Sequence, residues 1–573
     1  MWVYGDAERS TSARAFSNLV AAELRRADAL PFGLARHAAL VRVFVDASAL
    51  IQGLIDRDFN QRGFDAPTAG GERLTRLLFS LACFVARSWT TDFADQALPD
   101  ALVQSFAELG QTDDAPLTVR SAEGYSIYAL YPETYLHAAR ASGLGSETIV
   151  IGIRSIGLSL AALVAAALGA KVPISLRPVG DPFGRRIAAD DALLQAIRAM
   201  PDAPIAIVDE GPGLSGSSFF AVADWLEGAG ITRNRLHFFP SHHGEPGKEA
   251  SPDHRQRWHE APRHVGDFDE VVSAERLEDW VRGVVGPLNA PLRDISGGAW
   301  KAEGMFLPVD ARLERRKFLA CTAAGSFLVK FAGLGSDGSR KLQTAQALFA
   351  AGFGPEPVAL VHGLLVERWV EGEPLTEHNA ERDAVVNTLG RYLGFRAENL
   401  PADNTGASLQ MLADVAAFNS SRAFGAALDT AVRRLTTDAE ALQTLVRPVD
   451  TDNRMHQWEW RVLPDKRLIK TDALDHSSSH DLVGCQDIAW DIAGAVVEHA
   501  LTPGETQTLL RSVEAASGRT VDQRLLSFLL PCYLGFQAGL WSMARDAAAD
   551  TERPAISAQL QRYERHLQSL SRE

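Results

Sequence analysis

The sequence predicts an α/β plus α+β chain in three parts: a helical region over residues 1–114, a parallel-sheet domain over 115–290 and a mixed domain over 300–573. Three observations carry this division. Up to about residue 114 apolar positions recur at helical period, as in Ala39, Leu40, Val43, Phe44, Ala47, Leu50 and Ile51, and again over 77–85. Short apolar runs follow at 148–153, 172–176 and 205–208, with a later strand over 235–240. The run at 205–208 is too short for a helix and typical of a strand covered on both faces. Further on, a strand at 325–331 carries one lysine, and from Glu505 onward Leu509, Leu510, Val513, Leu526, Phe528, Leu529, Leu530 and Leu534 mark a helical end of the chain.

Length and composition bound the function. A chain of 573 residues is too long for one core, and 46% hydrophobic content indicates two or three globular domains. A formal charge of −15 argues against a sequence-independent nucleic-acid surface. Cys83, Cys321, Cys485 and Cys532 are far apart, without zinc spacing or a disulfide framework, and read as reduced thiols. The first residues lack a basic segment followed by an apolar one, and no uninterrupted apolar stretch is long enough for a bilayer, so the expected location is cytoplasmic, without membrane partners. The preference for Ala, and for Arg over Lys, fits a GC-rich bacterial source. Small molecules are the expected partners; homo-oligomerisation stays open.

Residues 205–219 are the most informative stretch. The strand at 205–208 ends in Asp209 and Glu210, followed by Gly211, Gly213, Ser215, Gly216, Ser217 and Ser218, and then by Phe219, Phe220, Val222, Ala223 and Leu226 at helical spacing. A small-residue loop feeding a helix N-terminus offers its amides to a phosphate, and the helix dipole adds about 0.3–1 kcal/mol. Two adjacent carboxylates would accept hydrogen bonds from sugar hydroxyls or hold Mg²⁺. Here the chain resembles the type I phosphoribosyltransferases, which bind phosphoribosyl pyrophosphate (PRPP) at an apolar strand, an acidic pair and a Ser/Thr-Gly turn. The resemblance implies that Asp209 and Glu210 meet the ribose and Mg²⁺, and that Gly213, Ser215, Gly216, Ser217 and Ser218 surround the 5-phosphate. The spacer before Ser215 is one residue longer than the usual pattern. A Rossmann-like strand and turn without a nucleotide is the alternative.

The upstream segments agree. The strand at 148–153 enters Arg154-Ser155-Ile156-Gly157, where the resemblance implies a pyrophosphate contact from Arg154 and amides from Ser155, Ile156 and Gly157. The strand at 172–176 leads to a Pro-, Gly- and Arg-rich loop whose Arg185, with Arg186, would reach leaving-group charge. His242 and His243 are candidates for the acceptor. His254, His259 and His264 lack metal-ligand spacing and read as a solvated loop.

A second resemblance covers residues 300–573. The lysine of Gly325-Ser326-Phe327-Leu328-Val329-Lys330-Phe331, the strand and linker 363–372 containing Glu367, and Asp487-Ile488-Ala489-Trp490-Asp491-Ile492-Ala493 resemble the aminoglycoside phosphotransferase and choline-kinase-like group, relatives of protein kinases. This implies a bilobal kinase-like domain, with Lys330 and Glu367 near a nucleotide such as ATP and Asp491 anchoring the catalytic loop. Aligning Met455-His456 with the family's His-Gly-Asp-x-His-x-x-Asn loop puts Arg454 at the base Asp, Glu459 at the metal-binding Asn and Asp472 at the metal Asp. An arginine accepts no proton, so Asp450 or Asp452 would have to substitute. His476 and His480, flanked by carboxylates, read as part of a polar loop beside Asp472 rather than a metal site.

The reading expected from sequence is therefore transfer of ribose 5-phosphate from PRPP, with pyrophosphate release, by a chain that also carries a kinase-like domain with an altered catalytic loop. A PRPP or nucleotide sensor without catalysis, an ATP-dependent small-molecule kinase centred on Lys330 and Asp472, and a scaffold are the rivals.

Overall fold

The structure, a computed structural model, describes residues 1–4, 8–94, 97–111, 115–301, 307–310, 315–376, 378–402, 404, 406–478 and 481–572. The N-terminal region forms helices Ala13–Asp28, Leu34–Arg62, Ala69–Thr90 and Asp100–Leu109, tied by antiparallel pairing of Glu8–Ser12 with Pro116–Arg120. Helix Leu34–Arg62 is buried on most of its circumference, including Val41, Val43, Phe44, Ala47, Leu50 and Ile51, which is why its sequence is apolar nearly all round.

The expected parallel sheet forms with strand order Ile174–Leu176, Ile149–Ile153, Ile205–Val208, Leu236–Phe239. Helix Gly157–Leu168 joins the N-terminal helices on one face, while Asp191–Arg198 and Ser217–Gly228 pack a separate core on the other, so the central strands are apolar throughout. The chain leaves Ile149–Ile153 toward one neighbour and returns on its other side as Ile205–Val208. The loops after these two strands therefore open a crevice at their C-terminal ends, the place where open α/β sheets bind ligands.

The C-terminal part opens with a five-stranded antiparallel sheet in the order Pro357–Val361, Leu364–Arg368, Gly325–Phe331, Lys317–Thr322, Arg293–Asp294, crossed by helix Gly335–Ala350. A helical lobe follows, with Arg382–Asn399, Leu409–Phe424, Ala489–Glu498 and Gln523–Ala547 around one core. Phe318, Ala320, Phe327, Val329 and Phe331 of the antiparallel sheet share a continuous core with the N-terminal helices and the α/β domain. Val3, 1% exposed, packs in the helical lobe's core, and its carbonyl accepts from the amide of Leu482 at 2.9 Å.

Three expectations change. Leu34–Arg62 and Gln523–Ala547 are long and apolar enough by length and composition to cross a membrane, but 78% and 89% of their apolar windows are buried inside the protein, as core helices are. The segment with His254 and His259 is helix Pro252–Glu260, nucleated by the Ser251 cap and by the burial of Trp258, rather than a loop. Arg154, expected at pyrophosphate, is 2% exposed and committed elsewhere: its guanidinium pairs with Asp56 at 2.8 Å and with Asp65, and donates to the Ser175 hydroxyl at 3.1 Å. Asp56 also pairs with Arg177, so this ion network fastens the long N-terminal helix to the sheet edge. Removing one member of a buried pair leaves the other charge uncompensated, at a cost of about 3–5 kcal/mol. Arg154→Ala should therefore lower the thermal midpoint by several degrees even in ligand-free protein; an unchanged melting curve would return Arg154 to a ligand role.

Candidate functional site

Both sets of residues singled out in the sequence open on one cleft of about 1490 Å³. Its α/β wall includes Ser155, Ile156, Asp209, Glu210, Gly213 and His242; its opposite wall includes Lys330, Glu367, Arg454, Glu459, Asp472 and Asp475.

On the α/β wall, sterics fix the backbone first. A Cβ on Gly157 would lie 2.6 Å from the Val208 carbonyl oxygen, so glycine is required for helix Gly157–Leu168 to start against the strand that ends in the acidic pair. The Tyr135 hydroxyl donates to the Asp209 carbonyl at 2.6 Å, and the Gly124 amide donates to the Glu210 carboxylate. Burial pushes Asp209 up to about 7 against the pull of the Glu210 amide, Arg185 and Arg177. Glu210 rises to about 8 through burial and the nearby Glu123 and Asp209. Arg185 bears electrostatically on Asp209 but is half-buried and does not line the cleft. Ser215, Gly216, Ser217 and Ser218 start helix Ser217–Gly228, with Gly216 in the left-handed region at φ 71°, but they lie outside the cleft lining. The Ser217 hydroxyl donates to the Pro182 carbonyl at 2.6 Å, so the loop carrying Arg185 sits over this turn. His242 lines the cleft and accepts from the Gly244 amide at 3.0 Å, whereas His243 is exposed.

On the opposite wall, antiparallel pairing sets Lys330 opposite Leu365, so Glu367 falls one diagonal step away on the same face. The Lys330 amine lies 3.6 Å from Glu367 and 3.7 Å from Asp472. Burial opposes the ammonium, but Glu367, Asp472 and Asp475 outweigh it and its pKa moves up. Glu367, 2% exposed, is therefore the counter-ion of Lys330.

Asp491 is tied to the backbone at residues 452 and 453. Its carboxylate accepts from the amides of Asp452 at 2.7 Å and Asn453 at 2.9 Å, which orients the loop that follows. That loop places Arg454 on the cleft, paired with Asp481 at 3.0 Å. Neither proposed substitute base reaches the cleft: Asp450 accepts from Ser477 and pairs with Arg396, while Asp452 is enclosed by Tyr392, Lys470 and His476. His476 sits in a short turn 3.7 Å from Asp472, and His480 lies outside the described residues.

Two further lysines escaped sequence reasoning. Lys341, on helix Gly335–Ala350, pairs with Asp475 at 2.8 Å, and Lys470 contacts Glu459 at 2.6 Å and Asp452 at 3.4 Å. The chain has eight lysines, and Lys330, Lys341 and Lys470 are all buried around these carboxylates. Scarcity of lysine was the available signal. Arg396, Arg315 and Arg454 add positive charge to the same cluster, and the Asp472 side chain is 45% exposed to the cleft. Glu459 and Asp472 both line the cleft and are hard oxygen donors of the kind that hold magnesium.

No family model and no curated protein matches this chain. Among solved structures it is similar to choline kinase LicA from Streptococcus pneumoniae, at 17% identity and TM-score 0.32 over 45% of this chain and 90% of that one. It is also similar to macrolide 2'-phosphotransferase MphH from Brachybacterium faecium, at 14% identity and TM-score 0.32 over 50% and 97%. The AMP-bound spectinomycin phosphotransferase APH(9)-Ia gives 13% identity and TM-score 0.33 over 52% and 98%.

The acidic pair has a pH signature. With folded pKa values above those of the unfolded chain, Asp209 and Glu210 keep protons that the unfolded state has lost, so they weaken the native state as pH rises from about 4 toward 8. Thermal midpoints measured between pH 5 and 8 should fall with pH in the ligand-free protein, and less steeply in Asp209→Asn/Glu210→Gln. Parallel slopes in the two proteins would contradict this placement.

Proposed function

We propose that the chain is an ATP- and Mg²⁺-dependent phosphotransferase acting on a small molecule. The observation that carries the reading is the buried Lys330 amine held between Glu367 and Asp472 at the cleft surface. Glu367 keeps Lys330 charged and pointed at the cleft, where an ammonium would bind nucleotide phosphates. Magnesium held by Asp472 and Glu459 would neutralise phosphate charge. Asp491 fixes the backbone that presents Arg454 and Glu459.

Arg454 defines the acceptor. A guanidinium has no lone pair to take a proton but attracts anions, so the favoured acceptor is an oxygen that is already ionised, such as a phosphate or carboxylate. Such a group attacks without losing a proton. Asp481, beside Arg454, is the nearest alternative proton acceptor.

A second reading is retained because Asp209 and Glu210 stand at the crevice of the parallel sheet on the same cleft: binding of PRPP or a related phosphorylated sugar. In a transfer reaction pyrophosphate would leave C1 of the ribose, and the two carboxylates would stabilise the positive charge on the ring. The two readings support each other, since a phosphosugar is an anionic small molecule.

Thermal stabilisation by ATP with Mg²⁺ and by PRPP with Mg²⁺ separates them. The ATP shift is expected in wild type and in Asp209→Asn/Glu210→Gln but lost in Lys330→Ala and weakened in Asp472→Asn. The PRPP shift should show the converse pattern. Stabilisation by PRPP alone would move the function to the α/β wall. PRPP binding without pyrophosphate release, across a panel of acceptors, would favour a sensor, and no shift with either ligand a scaffold.

A further inference from the structure

Where the three parts of the chain meet, three side chains converge out of contact with solvent. His37 comes from helix Leu34–Arg62, Glu133 from the first turn of helix Pro132–Ala141, and His362 from the turn between strands Pro357–Val361 and Leu364–Arg368. The Nε2 atoms of His37 and His362 lie 2.8 Å and 3.0 Å from the same oxygen, Oε1 of Glu133, and all three side chains are 0% exposed. The three donor atoms fall within 4.8 Å of one another.

Local structure aims the rings. Nδ1 of His37 sits 3.0 Å from the Ser88 hydroxyl, an outer contact that turns Nε2 toward Glu133. His362 adopts a left-handed backbone at φ 43°, unusual for a residue other than glycine, and the Tyr131 hydroxyl donates to its carbonyl at 2.9 Å. Phe93 packs 5.1 Å from the His37 ring and Trp280 5.3 Å from the His362 ring, so the surroundings are apolar.

Hydrogen bonds alone satisfy this cluster poorly. Both imidazoles crowd one carboxylate oxygen, while Oε2 of Glu133 and Nδ1 of His362 have no partner among the described residues. We propose that the cluster is a structural site for a divalent transition metal ion, best matched by zinc, bound by Nε2 of His37, Nε2 of His362 and both oxygens of Glu133. Two imidazoles and a carboxylate are a zinc donor set, and a chelating carboxylate supplies a fourth atom while giving Oε2 a partner. An imidazole nitrogen and the nearer carboxylate oxygen, each about 2.0–2.2 Å from zinc, stand roughly 3.3 Å apart near tetrahedral geometry, so a small outward shift from the present 2.8 and 3.0 Å admits the ion, with the two carboxylate oxygens together narrowing one edge of the tetrahedron. Magnesium and calcium, which prefer larger sets of oxygen ligands, do not fit two imidazoles in an apolar setting. None of the three residues lines the cleft. The ion clamps the N-terminal helices, the α/β domain and the antiparallel sheet together and takes no part in the cleft's chemistry. The site is independent of the nucleotide and PRPP readings.

The test is metal analysis of the full-length chain, expressed without a polyhistidine tag and dialysed against a weak chelator. About one zinc per chain is expected in wild type, with a lower thermal midpoint after a strong chelator and recovery on adding zinc. Zinc should be lost in Glu133→Gln and in His362→Asn, the latter chosen because asparagine tolerates a left-handed backbone. It should be kept in His237→Gln/His264→Gln, which removes the other close histidine pair, 3.0 Å apart. Cobalt-loaded wild type should show the visible bands of a tetrahedral ion. Substoichiometric zinc in wild type together with no thermal response to added zinc overturns the proposal and leaves a hydrogen-bonded triad, as does zinc that survives His362→Asn. If the variants do not fold, the wild-type metal content and the cobalt spectrum decide alone.

Discussion

The buried ammonium of Lys341 is the contact on which the geometry of the cleft depends. It pairs with Asp475 at 2.8 Å on the wall that carries Lys330 and donates to the Ser126 carbonyl at 3.2 Å on the other. Ser126 ends the short helix Glu123–Ser126, whose Gly124 amide holds Glu210. A lysine is costly to bury unless its charge is matched, and Asp475 matches it. Helix Gly335–Ala350, which carries Lys341, is fixed in turn at its start by Asp46, whose carboxylate accepts from the Ser336 amide at 3.1 Å and hydroxyl at 2.9 Å. One helix thereby connects the N-terminal region, the acidic pair and the Lys330–Asp472 surface.

The same helix leaves Lys330 to find its charge partners elsewhere. The amine of Lys330 obtains its counter-ion from the neighbouring strand, through Glu367, and not from the crossing helix. The helix instead offers a lysine to the segment after Asp472. Buried ammonium groups and carboxylates alternate around this surface, and the Asp472 side chain, 45% exposed, faces the cleft.

The fold was legible where periodicity is local. The four parallel strands and the helices after them could be placed from apolar runs and small-residue loops, and Asp491 was recognised as an anchor because its motif is contiguous. The acidic pair was legible for the same reason: a strand covered on both faces must end before consecutive carboxylates. Partners far apart along the chain were not legible. Nothing near Arg154 in sequence announces Asp56 and Asp65, and the helical spacing around His254 was hidden by charged residues until the burial of Trp258 gave that helix its inner face.

The sequence by itself determined the element types, the two small-residue turns after the central strands, the lysine strand and the place of Arg454 in its loop, because each depends on the order of side chains along a few residues. Tertiary structure alone decided that both turns share one cleft, that Arg154 serves the sheet edge, that Glu367 belongs to Lys330, and that His37, Glu133 and His362 meet. A charge or a lone pair buried in a low-dielectric interior must find a partner within a few ångströms. That partner is supplied by whichever segment packing brings there, whatever its distance along the chain.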